Sequence, residues 1–177
     1  LRKHNKYFKN LYRKYSFYFS DNMNCDLDTT CKLLDKLLIK QLHLMEDKIQ
    51  CELNIEHNIN DGAIQLAKAR YIMGHSSVST TRLPTEYSPD FSASTLCKTI
   101  EEDEVKQLKL VDNNGENKVN PLRWFGVLVP QNLHRAQAIF QNTINFVVEC
   151  VNIQLQIQKN MTDIETLKKY KTLIQSS

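Results

Sequence analysis

Glycine and proline are scarce, with four of each in 177 residues, about half the ordinary share. That scarcity weighs against turn-rich β architectures. None of Gly62, Gly74, Gly115 and Gly126 falls in a GxGxxG or GxxxxGK string, so the common nucleotide-binding fingerprints are missing. No apolar run approaches the roughly 18 residues of a membrane span, so any membrane address has to come through a partner. Cys25, Cys31, Cys51, Cys97 and Cys150 form no CxxC pair. Neither a zinc site nor a disulfide framework is indicated, and the five read as reduced thiols, Cys31 and Cys150 at apolar helix positions. His43, His57, His75 and His134 lack ligand spacing such as HxxxH, so no bound metal is expected. His134 and Cys150 lie about 24 Å apart on one predicted helix at 1.5 Å per residue, which excludes a thiol–imidazole nucleophile within it. No catalytic or cofactor-binding residue is identified.

The charge is unevenly spread. Residues 1–22 carry six Lys/Arg (Arg2, Lys3, Lys6, Lys9, Arg13, Lys14) against Asp21, and seven of the fifteen aromatics. The remainder is slightly acidic, with 17 basic side chains against 19 acidic ones. A basic aromatic segment suits an RNA-binding arm or a membrane-surface helix. The composition changes abruptly at Met23, the first methionine. The expectation is therefore that the native protein starts at Met23 and that 1–22 is upstream sequence read through in translation, a genuine basic arm being the alternative. The segment also fails as a signal peptide, because its apolar stretch at 15–20 is too short and no small-residue cleavage site follows.

Two long amphipathic patterns dominate what is there. Leu27, Cys31, Leu34, Leu38, Leu42, Met45, Ile49 and Leu53 recur at steps of three and four, one stripe of a helix. Asp26 and Asp28 suit its positive start. Gly62 is expected to kink or briefly break it, and Gly74 to end it, predicting a helix over 26–73. Leu133, Ala136, Phe140, Ile144, Val147, Val151 and Leu155 repeat the spacing, with Asn132 as an expected N-cap. The register shifts before Met161, Ile164, Leu167 and Ile174, like a coiled-coil stutter, and this second helix is predicted over 132–174. Each seam needs cover, and the simplest cover is the other. The fold class expected is all-α: a long antiparallel helical hairpin, or coiled coil, with a long, largely disordered polar linker. The organisation read from this is a 1–22 extension, an N-terminal helix over 23–74, a flexible acidic linker over 75–119, and a Trp-Phe-Gly motif with the C-terminal helix over 120–177. Within the linker, the apolar patch at 105–111 suits a short strand or helical turn, and the rest carries too little apolar area to offset ordering entropy. Two helices make a thin core, which a partner helix or strand would reinforce.

Two strings are distinctive. One is Leu66-Ala67-Lys68-Ala69-Arg70-Tyr71-Ile72-Met73-Gly74; the other is Asn120-Pro121-Leu122-Arg123-Trp124-Phe125-Gly126-Val127-Leu128-Val129-Pro130, followed by Leu133 and Ala136-Gln137. In this order, separated by a polar linker, they resemble the coiled-coil assembly-factor family of the vacuolar proton ATPase (V-ATPase), the Vma-twenty-two or coiled-coil-domain-containing family. The resemblance covers Met23 to about Tyr170, and the second string is the more specific. It implies a non-enzymatic chaperone at the cytosolic face of the endoplasmic reticulum that pairs with a membrane-spanning assembly factor and helps build the V-ATPase membrane sector. It further implies links to the ER–Golgi intermediate compartment, endosomes and lysosomes, and support of organelle acidification. It transfers no catalytic residue, no cofactor and no nucleic-acid partner.

Read from the residues alone, Pro121 to Pro130 form either a partner-binding anchor around Trp124 and Phe125 or a cap folded over the helices. Lys68 to Tyr71 read as a solvated face with Tyr71 packed inward, or as a contact surface. The acidic run 101–104 reads as a solvating charge run. The alternative functions are a generic coiled-coil adaptor or tether, and nucleic-acid binding through 1–22.

Overall fold

The computed structural model describes residues 27–102, 105–113, 115 and 117–176. The extension 1–22, Cys25, Asp26 and part of the acidic run lie outside the described residues. In chain order the elements are helix α1 (Leu27–Met73), a 3-10 turn (Thr80–Arg82), strands β1 (Thr95–Glu102) and β2 (Val105–Asp112), a second 3-10 turn (Pro121–Phe125) and helix α2 (Gln131–Gln175). By its internal contacts the chain divides into two compact units, Leu1–Asp47 with Gln154–Ser177, and Lys48–Ile153.

The first unit pairs the start of α1 with the end of α2. Leu33, Leu34 and Leu37 bury against Ile164 and Leu167, with Tyr170 packed alongside. Asn160 sits inside this pairing and donates to the Leu37 carbonyl (3.0 Å) and to Gln41 Oε1 (2.8 Å). Rising numbers on α1 meet falling numbers on α2, so the two stretches run antiparallel. Asn160 Oδ1 is buried with no hydrogen-bond partner, which costs about 1–3 kcal/mol and is tolerated where the other half of the amide holds the register.

The second unit repeats the antiparallel sense. Cys51 reaches Phe146, Gly62 faces Phe140, and Gln65 accepts from Asn132. A Cβ on Gly62 would fall 2.6 Å from Phe140 Cζ. Gly62 therefore does not break α1; the helix is continuous there, and the missing side chain makes room for the ring. Asn132 is likewise not a cap, because α2 starts at Gln131 and the Asn132 amide donates to Gln65 Oε1 at 2.7 Å.

The all-α expectation is overturned by an antiparallel β-hairpin in the stretch read as a disordered linker. β1 pairs with β2 from Thr95↔Asp112 to Glu102↔Val105, and Lys106 meets Glu101 at 3.7 Å across the pair. Pairing satisfies the facing backbone groups of both strands at once. The open edge of β2 is then held by α2: Asn152 Oδ1 accepts from the Leu108 N–H (2.7 Å) and Asn152 Nδ2 donates to the Leu108 carbonyl (2.9 Å). The base is tied too. Asn113 N–H donates to Ser94 O (2.9 Å), Asn113 Nδ2 to Ala93 O (2.9 Å), and Ser92 N–H to Asn117 O (3.1 Å). Sparse apolar content was a poor guide because these anchors are polar.

The buried seams also differ from the apolar stripes read in the sequence. On α1 one run of covered positions, Thr30, Leu34, Leu37, Gln41, Leu44, Lys48, Cys51, Ile55, Asn58, Gly62, Gln65 and Ala69, alternates by four and three, with Leu33, Leu66 and Met73 covered beside it. Leu38, Leu42, Met45, Ile49 and Leu53, assigned to the seam by hydropathy, are exposed. On α2 one run of covered positions is Ala136, Ile139, Thr143, Phe146, Cys150, Ile153, Ile157, Asn160, Ile164 and Leu167, with Leu133, Phe140 and Leu155 of the stripe read from the sequence covered as well. That repeat runs without interruption, so the expected stutter is not in the seam; Ile144, Val147 and Val151 belong to an exposed stripe beside it.

Candidate functional site

The two distinctive strings meet in one core within the second unit. Leu66, Ala69 and Met73 of the first and Leu122, Phe125 and Val129 of the second pack together with Val78 and Leu133. Each string has a local reason for its shape. In the first, one helix face turns Ala69 fully inward, and α1 ends at Gly74, whose φ is +88°. In the second, Pro121 fills the first turn of the 3-10 segment, where its missing N–H costs nothing. Asn120 caps that turn: its Oδ1 accepts from Leu122 N–H (3.1 Å) and from Gln137 Nε2 (2.9 Å). Gly126 has φ 135° and ψ 177°, a conformation open to glycine alone. The site a Cβ would take there lies 3.9 Å from Met73 Cε, so the turn closes against the end of α1.

This arrangement divides the motif residues by role. Leu122 is buried, and Phe125 and Val129 are half-buried against the core. Trp124 is half-buried and stacks edge-to-face on Phe91, with ring centroids 5.3 Å apart. Pro121 and Arg123 are exposed and Pro130 half-buried. Val127 and Leu128 stand out, at 100% and 90% exposure. In the first string Tyr71 is 91% exposed, so the inward residue of Lys68 to Tyr71 is Ala69, not Tyr71. Arg70 turns its guanidinium to the His75 ring, 3.1 Å from Nδ1. Ala67, Lys68, Tyr71 and Ile72, with Ile64 and Asn132, line a shallow, mainly apolar hollow of about 450 Å³.

Phe91 and Val78 complete the site and were missed as members of it. The available signal was small: Phe91 is an isolated aromatic in a polar stretch, and nothing local tells that Trp124 will meet it. Chemically the site is an apolar knot with a projecting rim. Among the described residues no group of three or more His, Cys, Asp or Glu side chains is placed to hold a metal ion, and no helix is long and apolar enough to cross a membrane.

No family model matches the chain. Individual relatives do. The vacuolar ATPase assembly protein VMA22 of Danio rerio is 28% identical over 193 aligned positions, covering 82% of this chain and 92% of its own length. The protein of the same name from Mus musculus is 26% identical, with 77% and 92% covered. That from Homo sapiens is 24% identical, with 77% and 89% covered. Four such relatives, each aligned over most of the chain, support its assignment to the family of these vacuolar ATPase assembly proteins.

Proposed function

We propose that this chain is a non-catalytic assembly factor of the vacuolar proton ATPase. It acts on the membrane-embedded, proton-conducting sector with a membrane-spanning assembly factor, at the cytosolic face of the endoplasmic reticulum, and thereby supports acidification of downstream organelles. The observation that carries the reading is the likeness to these assembly proteins over most of the chain together with the union of both family-like strings in one core. An interaction role fits the surface. Large apolar side chains stand exposed in each unit, Leu38, Leu42 and Met45 in the first and Ile49, Val147, Val151, Val127 and Leu128 in the second, and such exposure is characteristic of binding surfaces.

Within the motif, partner contact is assigned to the projecting rim of Tyr71, Ile72, Val127 and Leu128, while Trp124 and Phe125 hold the rim in place. The two roles separate experimentally. Val127→Ser with Leu128→Ser is expected to leave helicity and melting temperature unchanged but to abolish co-precipitation of the membrane-spanning factor and fail to restore organelle acidification in cells lacking the native protein. Phe125→Ala is expected to cost about 2–3 kcal/mol, less than a fully buried ring, and to lower the melting temperature. Normal partner recovery and normal acidification with the Val127/Leu128 double variant would remove the rim from the function.

A further inference from the structure

The paired helices of the second unit bring two cysteines together. Cys51 on α1 and Cys150 on α2 both occupy seam positions, Cys51 buried and Cys150 half-buried. The Cys51 thiol donates to the Phe146 carbonyl at 3.1 Å. In an α-helix that carbonyl also accepts the N–H four residues on, which is that of Cys150. The Cys51 sulfur thus rests on the turn that Cys150 closes. A helical side chain leans toward the N-terminus and covers the turn before it, so the Cys150 thiol lies over the same turn. Both the thiol and the backbone amide of Cys150 act on the Cys51 thiol.

We infer that Cys51 and Cys150 are a modification site, a facing dithiol that peroxide oxidises to an intrachain disulfide bracing α1 against α2 within the second unit. The thiolate of the more accessible Cys150 attacks hydrogen peroxide; the O–O bond breaks, and the departing hydroxide leaves as water with the thiol's proton. Cys150 is then a sulfenic acid. The Cys51 sulfur gives up its proton and attacks the Cys150 sulfur; the S–O bond breaks, and the hydroxide takes that proton and leaves as a second water. Two thiols are oxidised by two electrons and the peroxide is reduced to two waters. Burial pushes the Cys51 thiol up, with the Cys150 thiol and Glu149 adding to the effect. Cys51 therefore keeps its proton and waits as the resolving partner rather than meeting peroxide itself. Positioning compensates for its weak acidity, because the second step is intramolecular.

The test uses the full chain, reduced and then treated with one equivalent of hydrogen peroxide, alkylated and digested with trypsin without reduction. Peptides 49–68 and 136–159 each carry a single cysteine. They are expected to be recovered linked, two hydrogens lighter than their sum, from monomeric protein, and to separate on adding dithiothreitol. The oxidised chain is expected to melt roughly 5 °C or more above the reduced one, a gain that Cys51→Ser removes. Recovery of both peptides separately alkylated while the exposed Cys97 takes up the oxidant would overturn the inference. So would a link found only between molecules. Because the peptide mapping is done on the unsubstituted chain, the result does not depend on how Cys51→Ser folds.

Discussion

Gly62 shows how a single residue can carry opposite instructions at two levels. Locally it weakens α1, since glycine costs about 1 kcal/mol against alanine in a helix interior. In the fold it is the position that admits Phe140, whose ring atoms would lie 2.6–3.1 Å from an added Cβ. The contact decides the sign. Gly62→Ala is expected to destabilise the protein by about 1 kcal/mol despite alanine's better propensity, because the ring must shift. In a Phe140→Ala background the same substitution is expected to stabilise by about 1 kcal/mol. A double-mutant cycle in urea measures the reversal, and additive effects would mean that the close approach does not govern this position.

Among the elements, the β-hairpin is the one whose existence rests on a neighbour. Two strands alone are marginal in water, and Asn152 satisfies both the N–H and the carbonyl of Leu108 on the edge of β2. Asn152→Ala leaves that pair without its partner, a cost of about 1–3 kcal/mol. Hydrogen exchange is expected to show amides of β1 and β2 losing protection by roughly tenfold or more, with α1 amides unchanged. Unaltered protection in the hairpin would mean that the Asn152 clamp is dispensable. The hairpin was legible only as an apolar patch at 105–111; its clamp is one asparagine on a helix 44 residues away, which no local pattern reports. The motif strings are the opposite case. Their unusual composition was visible in the string of Pro121 to Pro130, but the inward turn of Ala69 rather than Tyr71 depends on which side of α1 the second string meets.

At the scale of the whole molecule, stability is divided between cores rather than pooled. Leu33, Leu34, Leu37, Ile164 and Leu167 form one, and Ala69, Val78, Leu122 and Leu133 the other. Leu167 has no exposed surface, so Leu167→Ala is expected to cost about 3 kcal/mol. Most of that loss is expected to fall on the first unit. Hydrogen exchange read by fragment should then deprotect 27–47 and 154–175 while leaving 48–73 and 131–153 near their original protection. Uniform deprotection along both helices would instead show that the chain unfolds as one cooperative block.

What the sequence determined by itself is local. The three-and-four spacing marks both helices, Gly74 marks the end of the first, and the proline-fenced string around Trp124 carries the family resemblance. Tertiary structure alone decided which stripe of each helix is buried. The seam accepts Thr30, Gln41, Lys48, Asn58, Gln65, Thr143 and Asn160, so hydropathy ranks the greasier stripe one residue away, through Leu38, Leu42, Met45 and Ile49, above it. Neighbouring residues on a helix point about 100° apart, and periodicity is the same for both stripes. The choice between them is made by the partner surface: Asn160 bonding across to Leu37 and Gln41, Phe140 entering at Gly62, and Cys51 resting on the turn closed by Cys150. Those contacts join residues about 80 to 120 positions apart, beyond the reach of any local pattern.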